Sequence, residues 1–371
     1  MSRQRFVFKR RALITLLIGI FILSGCELSK KINMDSDNHL TETGDNRINE
    51  KFDKKLTETE SKETDTLPKP LEVSINTNAK DIYYNSEDDI DLFRSLHRCE
   101  SDGKNIYLVH GEPDLYIMPI GTDEHNPANI DNPAGMDVCQ ITVDIYGRIH
   151  LLIVSQDNKE WFIYQLDESY QVDRVIDISA YIEQKRVPPW FLIDKDGTYY
   201  LQWPCERNGI IVDSEGVLKH RTTPESLGTV WIYEAAVGKD GEIYLVHGVS
   251  EEKEEIAKLD VKNGLIENVN PAIYFPGGEI FSLMSSGTDT NLLLFSPLSG
   301  VWACDTENGT LENRVPISGI GFSSDMEFWP FTFLPDGRLF LGGSTISKDN
   351  ADDGGDEDFK LPLLKYIPVG K

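Results

Sequence analysis

The sequence contains little cysteine and little positive charge, and each shortage argues against a class of protein. Only five cysteines occur in 371 residues. None of them are spaced as Cys-x-x-Cys, so they match no zinc-binding pattern. Lys and Arg total 36 against 62 Asp and Glu, which gives a net charge of −26. Because a surface this acidic repels nucleic acid, DNA and RNA binding are disfavoured.

Familiar catalytic motifs are also missing. The chain has no Gly-x-Ser-x-Gly nucleophile elbow, no phosphate-binding glycine loop and no His-Glu-x-x-His metal motif. The common hydrolase classes are therefore disfavoured, although a site assembled from distant residues would leave no such trace. On this basis we lean towards a protein that is not an enzyme.

A long apolar segment is present at the amino terminus. Five basic residues precede an uncharged run from Ala12 to Leu23. As a helix this run would span about 18 Å, against a bilayer core of about 30 Å. It therefore predicts a signal peptide over residues 1–25 and not a membrane span. The next segment, Leu23-Ser24-Gly25-Cys26, resembles the lipobox of bacterial lipoproteins.

The lipobox resemblance implies that Cys26 becomes the mature amino terminus and carries a diacylglycerol. Two acyl chains, at ~0.8 kcal/mol per buried methylene, hold a protein stably at a membrane. We expect the extracytoplasmic face of the cell membrane, or the outer membrane in a Gram-negative cell. Loss of residues 1–25 leaves a net charge of −31, which favours cationic partners or metal ions.

Residues 26–70 differ in composition from the rest of the chain. Ser, Thr, Asn, Asp, Glu and Lys dominate, and the few apolar residues follow no period. Such a segment cannot bury enough apolar surface to offset its chain entropy. We predict a disordered polar tether with a reach on the order of 35 to 40 Å.

From Leu71 onward the sequence repeats with a period near 45 residues. Asp102 to Gly111 recurs as Asp240 to Gly248, one residue shorter, and weaker copies of the same turn lie between and beyond them. Periods of this size are typical of repeat architectures. The repeated turn glycines are Gly103, Gly147, Gly197, Gly241, Gly287 and Gly337.

Each repeat predicts four short strands. In the second repeat these are residues 138–143, 149–154, 161–166 and 172–178, and the turn glycine lies between the first two. Four strands per unit, joined by short turns, are typical of a propeller blade. An array of sandwiches is the alternative, but it explains neither the period nor the shared turn. The sequence thus predicts an all-β, six-bladed propeller over residues 71–371.

The last repeat supplies only three strands, which would leave a strand edge open. Leu71, Val73 and Ile75 alternate with polar residues, as in a half-buried strand. We predict that this amino-terminal strand pairs with residues 363–367 and closes the ring. The chain then resembles the six-bladed propellers of the TolB-like and NHL-like kind. That resemblance concerns the fold and does not define a function.

The four remaining cysteines lie on or beside apolar, strand-like stretches. We favour buried free thiols, with disulfides in an oxidising compartment as the alternative. These residues are Cys99, Cys139, Cys205 and Cys304.

Carboxylates dominate the face of the predicted ring opposite the Asp-Gly turns, which we call the upper face. They lie in the loops between the second and third strands. No organic cofactor is evident, and Ca²⁺ is the candidate ion because it takes oxygen ligands. Ala351 and Lys360 break the EF-hand pattern there, so a solvated loop is the alternative. The upper-face acidic positions are Glu112, Asp114, 157–160, Glu206, 251–255 and 349–358, and the calcium candidates are Asp352, Asp353, Asp356 and Asp358.

Aromatic and acidic residues also recur near the predicted starts of the innermost strands. Aromatic faces beside carboxylates could bind a sugar, a peptide or a cationic group. Packing of the tryptophans between blades is the competing explanation. The candidates are Trp190, Trp231, Glu234, Glu279, Glu327 and Trp329.

These observations favour a lipid-anchored, monomeric binding module that engages an extracytoplasmic protein, peptide or glycan of cationic character. The alternative is a metal-dependent propeller enzyme acting on a lactone or sugar-like molecule. Propellers that resemble gluconolactonases hold a divalent metal with carboxylate side chains, a role that Asp137, Glu234 and Glu279 could fill. A structural lipoprotein of an envelope assembly is a third possibility. The twin histidines His110 and His247 are explained most simply by the repeat itself.

Overall fold

The computed structural model describes most of the carboxyl-terminal three quarters of the chain. The residues described belong to one compact unit, 69–183 together with 189–371. Residues 1–81, with the predicted signal peptide, Cys26 and the tether, lie outside them. No helix in the described part is long and apolar enough to cross a membrane. The described residues are 82–83, 96–110, 115–122, 126–128, 130, 136–182, 189–203, 207–250, 253–269, 271–275, 283–287, 289–320, 326–334, 338–345 and 363–368.

The fold is an all-β propeller of four-stranded antiparallel blades. Five blades each consist of four consecutive strands. Blade 1 contains β2 (Leu96–Ser101), β3 (Asn105–His110), β4 (Leu115–Pro119) and β5 (Asn126–Ala128); blade 2 contains β6 (Met136–Val143), β7 (Ile149–Ser155), β8 (Trp161–Leu166) and β9 (Val172–Asp177); blade 3 contains β10 (Trp190–Ile193), β11 (Tyr199–Trp203), β12 (Asn208–Val212) and β13 (Leu218–Thr222); blade 4 contains β14 (Trp231–Val237), β15 (Ile243–Ser250), β16 (Lys253–Asp260) and β17 (Leu265–Asn268); blade 5 contains β18 (Leu283–Ser286), β19 (Leu292–Ser296), β20 (Gly300–Asp305) and β21 (Thr310–Pro316).

A further sheet combines both ends of the described chain. Its strands are β22 (Met326–Phe333), β23 (Arg338–Thr345), β24 (Leu363–Pro368) and β1 (Ile82–Tyr83), in the order β1-β24-β23-β22. In the described part of the chain, the blades built from four consecutive strands therefore number five, where the sequence predicted six blades.

Among the described residues, the strands that pair with β24 are β23 and β1. Ile82 pairs with Leu364 and Tyr83 with Leu363. Residues 71–76, which alternate more clearly, lie outside the described residues. Alternation shows that a segment suits a strand, but it does not specify which neighbouring segment will pair with it.

The strands of the second blade follow the predicted bounds to within two residues. The turn glycines account for this agreement between the predicted and the observed bounds. Gly103, Gly147, Gly197 and Gly241 have φ between +76° and +85°, a region that glycine enters without steric cost. Gly287, the degenerate copy, is absent from the residues with positive φ.

Apolar side chains fill the space between adjacent blades. One cluster joins blades 2 and 3, where the buried rings of Trp161 and Trp203 meet edge to face with centroids 6.0 Å apart. Comparable clusters join blades 1 and 2, 3 and 4, and 4 and 5, and a fifth joins blade 5 to β22 and β23. The first strands contact one another in the order β2, β6, β10, β14, β18 and β22, and β22 contacts β2.

Three of the four predicted buried thiols lie in these clusters or strands. Cys99, Cys139 and Cys304 are buried and form no disulfide, and burial raises the pKa of Cys304 to about 12. Cys205 lies outside the described residues. For the three described cysteines, the favoured interpretation as buried free thiols is confirmed.

One short α-helix, α1 (Pro224–Leu227), lies directly before β14. Thr223 caps it, and Gly228 ends it with φ +70°. Together with Thr229, this turn directs the chain to the upper end of β14, where the candidate site described below begins.

Candidate functional site

The Asp-Gly turns form one face of the propeller, which we call the turn face. The upper face lies opposite. Asp102 Oδ2 accepts a hydrogen bond from the Tyr107 hydroxyl at 2.7 Å, and Asp240 Oδ2 accepts the matching bond from Tyr244 at 2.8 Å. The duplicated sequence therefore encodes a duplicated turn that each aspartate stabilises.

Turns of neighbouring blades are also bonded to each other. The Lys195 amide donates to the Gly241 carbonyl at 2.8 Å, and the Lys239 amide donates to the Asn291 carbonyl at 3.0 Å. These bonds connect blades 3, 4 and 5. The repeated turns thus have a structural role.

The predicted ligand residues are distributed unevenly over the described structure. Trp190 begins β10 and Trp231 begins β14, at equivalent positions of neighbouring blades. Glu327 and Trp329 belong to β22, but their side chains are not described. The predicted residues outside the described part of the chain are Cys26, Glu279, Asp352, Asp353, Asp356 and Asp358.

Glu234 lies in the interior of blade 4. Its side chain is buried, and Oε1 accepts a hydrogen bond from the Ala235 amide at 3.1 Å. Within the described part of the chain, no group of three or more His, Cys, Asp or Glu side chains could hold a metal ion.

Trp190 is half-buried against the cluster between blades 3 and 4. Its ring makes no contact with the Trp231 ring among the described aromatic side chains. Trp190 thus follows the packing interpretation, and Trp231 is the better candidate for binding.

Trp231, Gly248 and Glu254 lie side by side across the upper end of blade 4. Trp231 pairs with Gly248 on β15, and Gly248 pairs with Glu254 on β16. A Cβ atom added at Gly248 would lie 2.4 Å from Trp231 Nε1. The indole therefore lies over the glycine backbone and reaches across β15 towards β16.

Tyr233 packs against the Trp231 indole. The rings of Trp231 and Tyr233 meet edge to face, with centroids 5.9 Å apart and an interplanar angle of 71°. Burial raises the pKa of Tyr233 to about 12, and the nearby Glu254 carboxylate adds to the shift. The phenol therefore stays neutral, beside a carboxylate, at any physiological pH.

Two cationic groups lie on aromatic faces at this end of the blade. The Arg207 guanidinium, from the loop between β11 and β12, is 6.0 Å from the centroid of the Trp231 ring. The Lys253 ammonium is 3.8 Å from the centroid of Tyr274, which is half exposed. Both distances fall in the range of a cation–π interaction.

His247 lies on the other side of β15 from the Trp231 indole. The Thr229 hydroxyl donates to the Gly248 carbonyl at 2.8 Å, so its oxygen accepts from His247 Nδ1 at 3.0 Å. His247 Nε2 is then the unprotonated nitrogen, and it is buried without a hydrogen-bond partner among the described residues. Burial lowers the pKa of His247 to about 4.

The predicted acidic upper face is described only in part. Asp157 accepts a hydrogen bond from Lys159 Nζ at 2.7 Å, so a neighbouring cation offsets its charge. Glu254 and Glu255 are half-buried on β16. The other predicted acidic positions, apart from Asp157 to Glu160, lie outside the described residues.

Sequence analysis missed Arg207, Tyr233, Gly248 and Tyr274 as members of this site. Gly248 carried a signal, because the His-Gly pair recurs in both copies of the strongest repeat. No sequence signal connects Arg207 with Trp231, since they belong to different blades.

A groove of about 590 Å³ opens on the turn face between blades 4 and 5. At its floor the Asn291 side-chain amide donates to Thr306 Oγ1 at 2.7 Å, and Tyr244 donates to Asp240. These floor groups thus bond to one another.

Comparison with known proteins finds similar solved structures but no family. No protein-family model matches the sequence, and no curated protein matches it. Among solved structures the chain is similar to virginiamycin B lyase from Staphylococcus aureus, with 9% identity, a TM-score of 0.46, and coverage of 79% of this chain and 88% of that one.

Two further structures are similar over comparable lengths. YCF48 bound to D1 peptide has 11% identity and a TM-score of 0.42, covering 73% of this chain and 77% of that one. Oligogalacturonate lyase in complex with manganese has 12% identity and a TM-score of 0.43, covering 71% and 74%. These similarities assign no function to the chain.

Proposed function

We propose that this chain is a lipid-anchored, extracytoplasmic binding module whose upper face takes up a cationic group of a protein or peptide partner. The observation that carries the proposal is the placement of the Arg207 and Lys253 cations on aromatic faces at the upper end of blade 4. A surface that already stabilises two cations, in a chain of net charge −26, suits a cationic partner.

The proposal includes a closed ring of six sheets. Pairing of β1 with β24 and the contacts of β22 with β2 and β18 support it. Closure would fix the six first strands around one axis, so that the upper face is a rigid platform.

The anchor follows from the lipobox-like segment that ends at Cys26. A flexible tether over residues 26–70 would keep the ring near the membrane surface and raise its effective concentration there. We expect Cys26→Ser to move the protein from the detergent phase to the aqueous phase in a detergent partition of whole cells. Retention in the detergent phase would contradict lipid attachment at this residue.

A charge-removal experiment tests partner binding. The mature chain carrying Cys26→Ser is titrated with a labelled peptide of alternating lysine and glycine, and with its glutamate counterpart, at two salt concentrations. The upper-face variant replaces Glu251, Glu252, Glu254 and Glu255 by Gln. The control removes the same number of charges from exposed turn-face positions: Asp196, Glu168, Glu267 and Glu307.

The upper-face variant should bind the lysine peptide at least fivefold more weakly, with a smaller salt dependence, because four attractive charges are lost. The turn-face control should keep the affinity of the parent chain. Equal losses in the two variants would show that only net charge matters, and this would contradict a binding site on the upper face.

The alternative is a metal-dependent enzyme with ligands among Asp137, Glu234 and Glu279. Of these, Glu234 is buried and bonded to the Ala235 amide. Metal analysis of the purified chain, followed by Glu234→Gln, separates the two functions. A divalent ion held by the parent chain and lost from the variant would favour the enzyme.

A further inference from the structure

We propose that the indole face of Trp231 is the binding site for one cationic head group, a guanidinium or an alkylammonium, and that Arg207 holds this place until the ligand displaces it. The inference rests on the proposed function and deepens it, because it names the residue that recognises the cation and the residue that competes with it.

The indole is fixed in position before any ligand arrives. Gly248 leaves room for the ring to lie across β15, and Tyr233 packs against it in a T-shaped arrangement. Trp231 is half-buried, so part of its surface remains accessible. A ring held in this way loses little conformational freedom on binding.

Arg207, in contrast, is weakly held. It is exposed, and its backbone has φ +52°, a left-handed conformation that is unusual for a residue with a side chain. Within the described part of the chain, its guanidinium lies over the Trp231 ring and near the exposed Glu225 carboxylate, whose pKa it helps to lower. Arg221 on the same blade instead donates from Nη1 to the Tyr181 carbonyl at 2.9 Å.

The free energy needed to displace Arg207 depends on how strongly the Trp231 ring holds its guanidinium. A cation–π contact at an exposed site is worth about 0.5–1 kcal/mol, which is a factor of two to five in a binding constant. An incoming cation replaces that contact with an equivalent one, and Arg207 returns to water without leaving a buried charge unpaired. The net cost of displacement is therefore small.

The surroundings favour a cation over a neutral molecule of the same shape. Glu254 lies on the strand towards which the indole points, two strands from Trp231. Its carboxylate is close enough to Tyr233 to raise the pKa of that phenol. The Trp231 site thus combines an aromatic face with a fixed negative charge.

Fluorine NMR of the chain labelled with 5-fluorotryptophan tests the inference. The chain has six tryptophans, and the Trp231 resonance is assigned by its loss in Trp231→Phe. The probes are tetramethylammonium and methylguanidinium ions, with neopentyl alcohol as the neutral control of similar shape. Arg207→Gln removes the competing cation, and Arg221→Gln is the matched control.

We expect the two cations to shift the Trp231 resonance saturably, and the alcohol to leave it unchanged. Arg207→Gln should bind the cations two- to fivefold more tightly, whereas Arg221→Gln should match the parent chain. Equal affinity in the parent and Arg207→Gln would overturn the competing role of Arg207. No saturable shift in Arg207→Gln, with the other five resonances unperturbed, would overturn the site.

The outcome is separable from that of the proposed function. If Trp231→Phe kept full affinity for the lysine peptide while the upper-face charge variant lost it, the binding module would stand and the Trp231 site would be wrong. If neither change affected the peptide, both proposals would fail.

Discussion

At the scale of single residues, His247 shows how one side chain can couple stability to pH. Its Nδ1 donates to Thr229 Oγ1, and its buried Nε2 has no partner among the described residues. Protonation would place an unpaired N–H of a cation in the protein interior, which explains the fall of its pKa to about 4. The folded protein therefore holds His247 neutral.

His247 should make the protein less stable in acid. Because its folded pKa lies below the unfolded value of about 6.5, the unfolded chain binds the proton more readily, and stability falls as pH drops from about 6.5 towards 4. The loss reaches up to about 3 kcal/mol, since each pKa unit is worth about 1.4 kcal/mol. Asparagine keeps a donor near the Nδ1 position but does not titrate.

Urea unfolding at pH 7.5, 5.5 and 4.5 measures this effect. His247→Asn should lose less stability than the parent chain between the first and last pH. His220, whose Nε2 bonds to the Lys262 carbonyl at the surface, provides the control His220→Asn, and this variant should follow the parent chain. An equally steep loss in His247→Asn would contradict the assignment.

At the scale of elements, the turn between the first two strands of a blade has two separable roles. Gly197 and Gly241 both need positive φ, at +81° and +76°. They differ in their neighbours. A Cβ at Gly241 would lie 2.6 Å from Lys195 Cβ on the next blade, whereas at Gly197 the nearest atom is Ser214 Cβ at 3.5 Å.

Alanine at these two glycines separates backbone strain from contact between blades. Both variants carry a left-handed alanine, at about 1–2 kcal/mol. Gly241→Ala should cost about 1–3 kcal/mol more than Gly197→Ala, because its methyl group pushes the Lys195 turn away. Chemical unfolding of both variants measures the difference. Equal costs would mean that the contact between turns contributes nothing to stability.

At the scale of the whole molecule, one difference from the sequence prediction concerns the segment that completes the last sheet. The pattern of residues 71–76 was the stronger strand signal, yet Ile82 and Tyr83 pair with β24. A strand of two residues adds few hydrogen bonds. Its contribution lies in covering the exposed edge of β24.

Segment replacement within the full mature chain tests this arrangement. Proline at positions 82 and 83 removes the donors needed for pairing and should lower the melting temperature by several degrees, at about 2–4 °C per kcal/mol. Replacement of residues 71–76 by glycine and serine should change it by less than about 1 °C. The reverse order of effects in thermal unfolding would show that the earlier segment closes the sheet.

Much of the fold could be predicted because its determinants are local. Turn glycines with positive φ, and apolar strands on either side of them, define a blade from consecutive residues. The bounds of β8, Trp161–Leu166, were predicted residue for residue. The predicted ligand residues stay a prediction; the structure shows that Trp190 packs between blades and that Glu234 is buried.

The sequence by itself determined the repeating unit, the turns and the buried thiols, because each depends on the conformation or hydrophobicity of a short segment. Only the tertiary structure decided that Arg207 lies over Trp231, that Gly248 makes room for the indole and that Ile82 pairs with Leu364. The physical reason is distance along the chain. Such contacts depend on the packing of whole sheets against one another, which no local pattern of residues encodes.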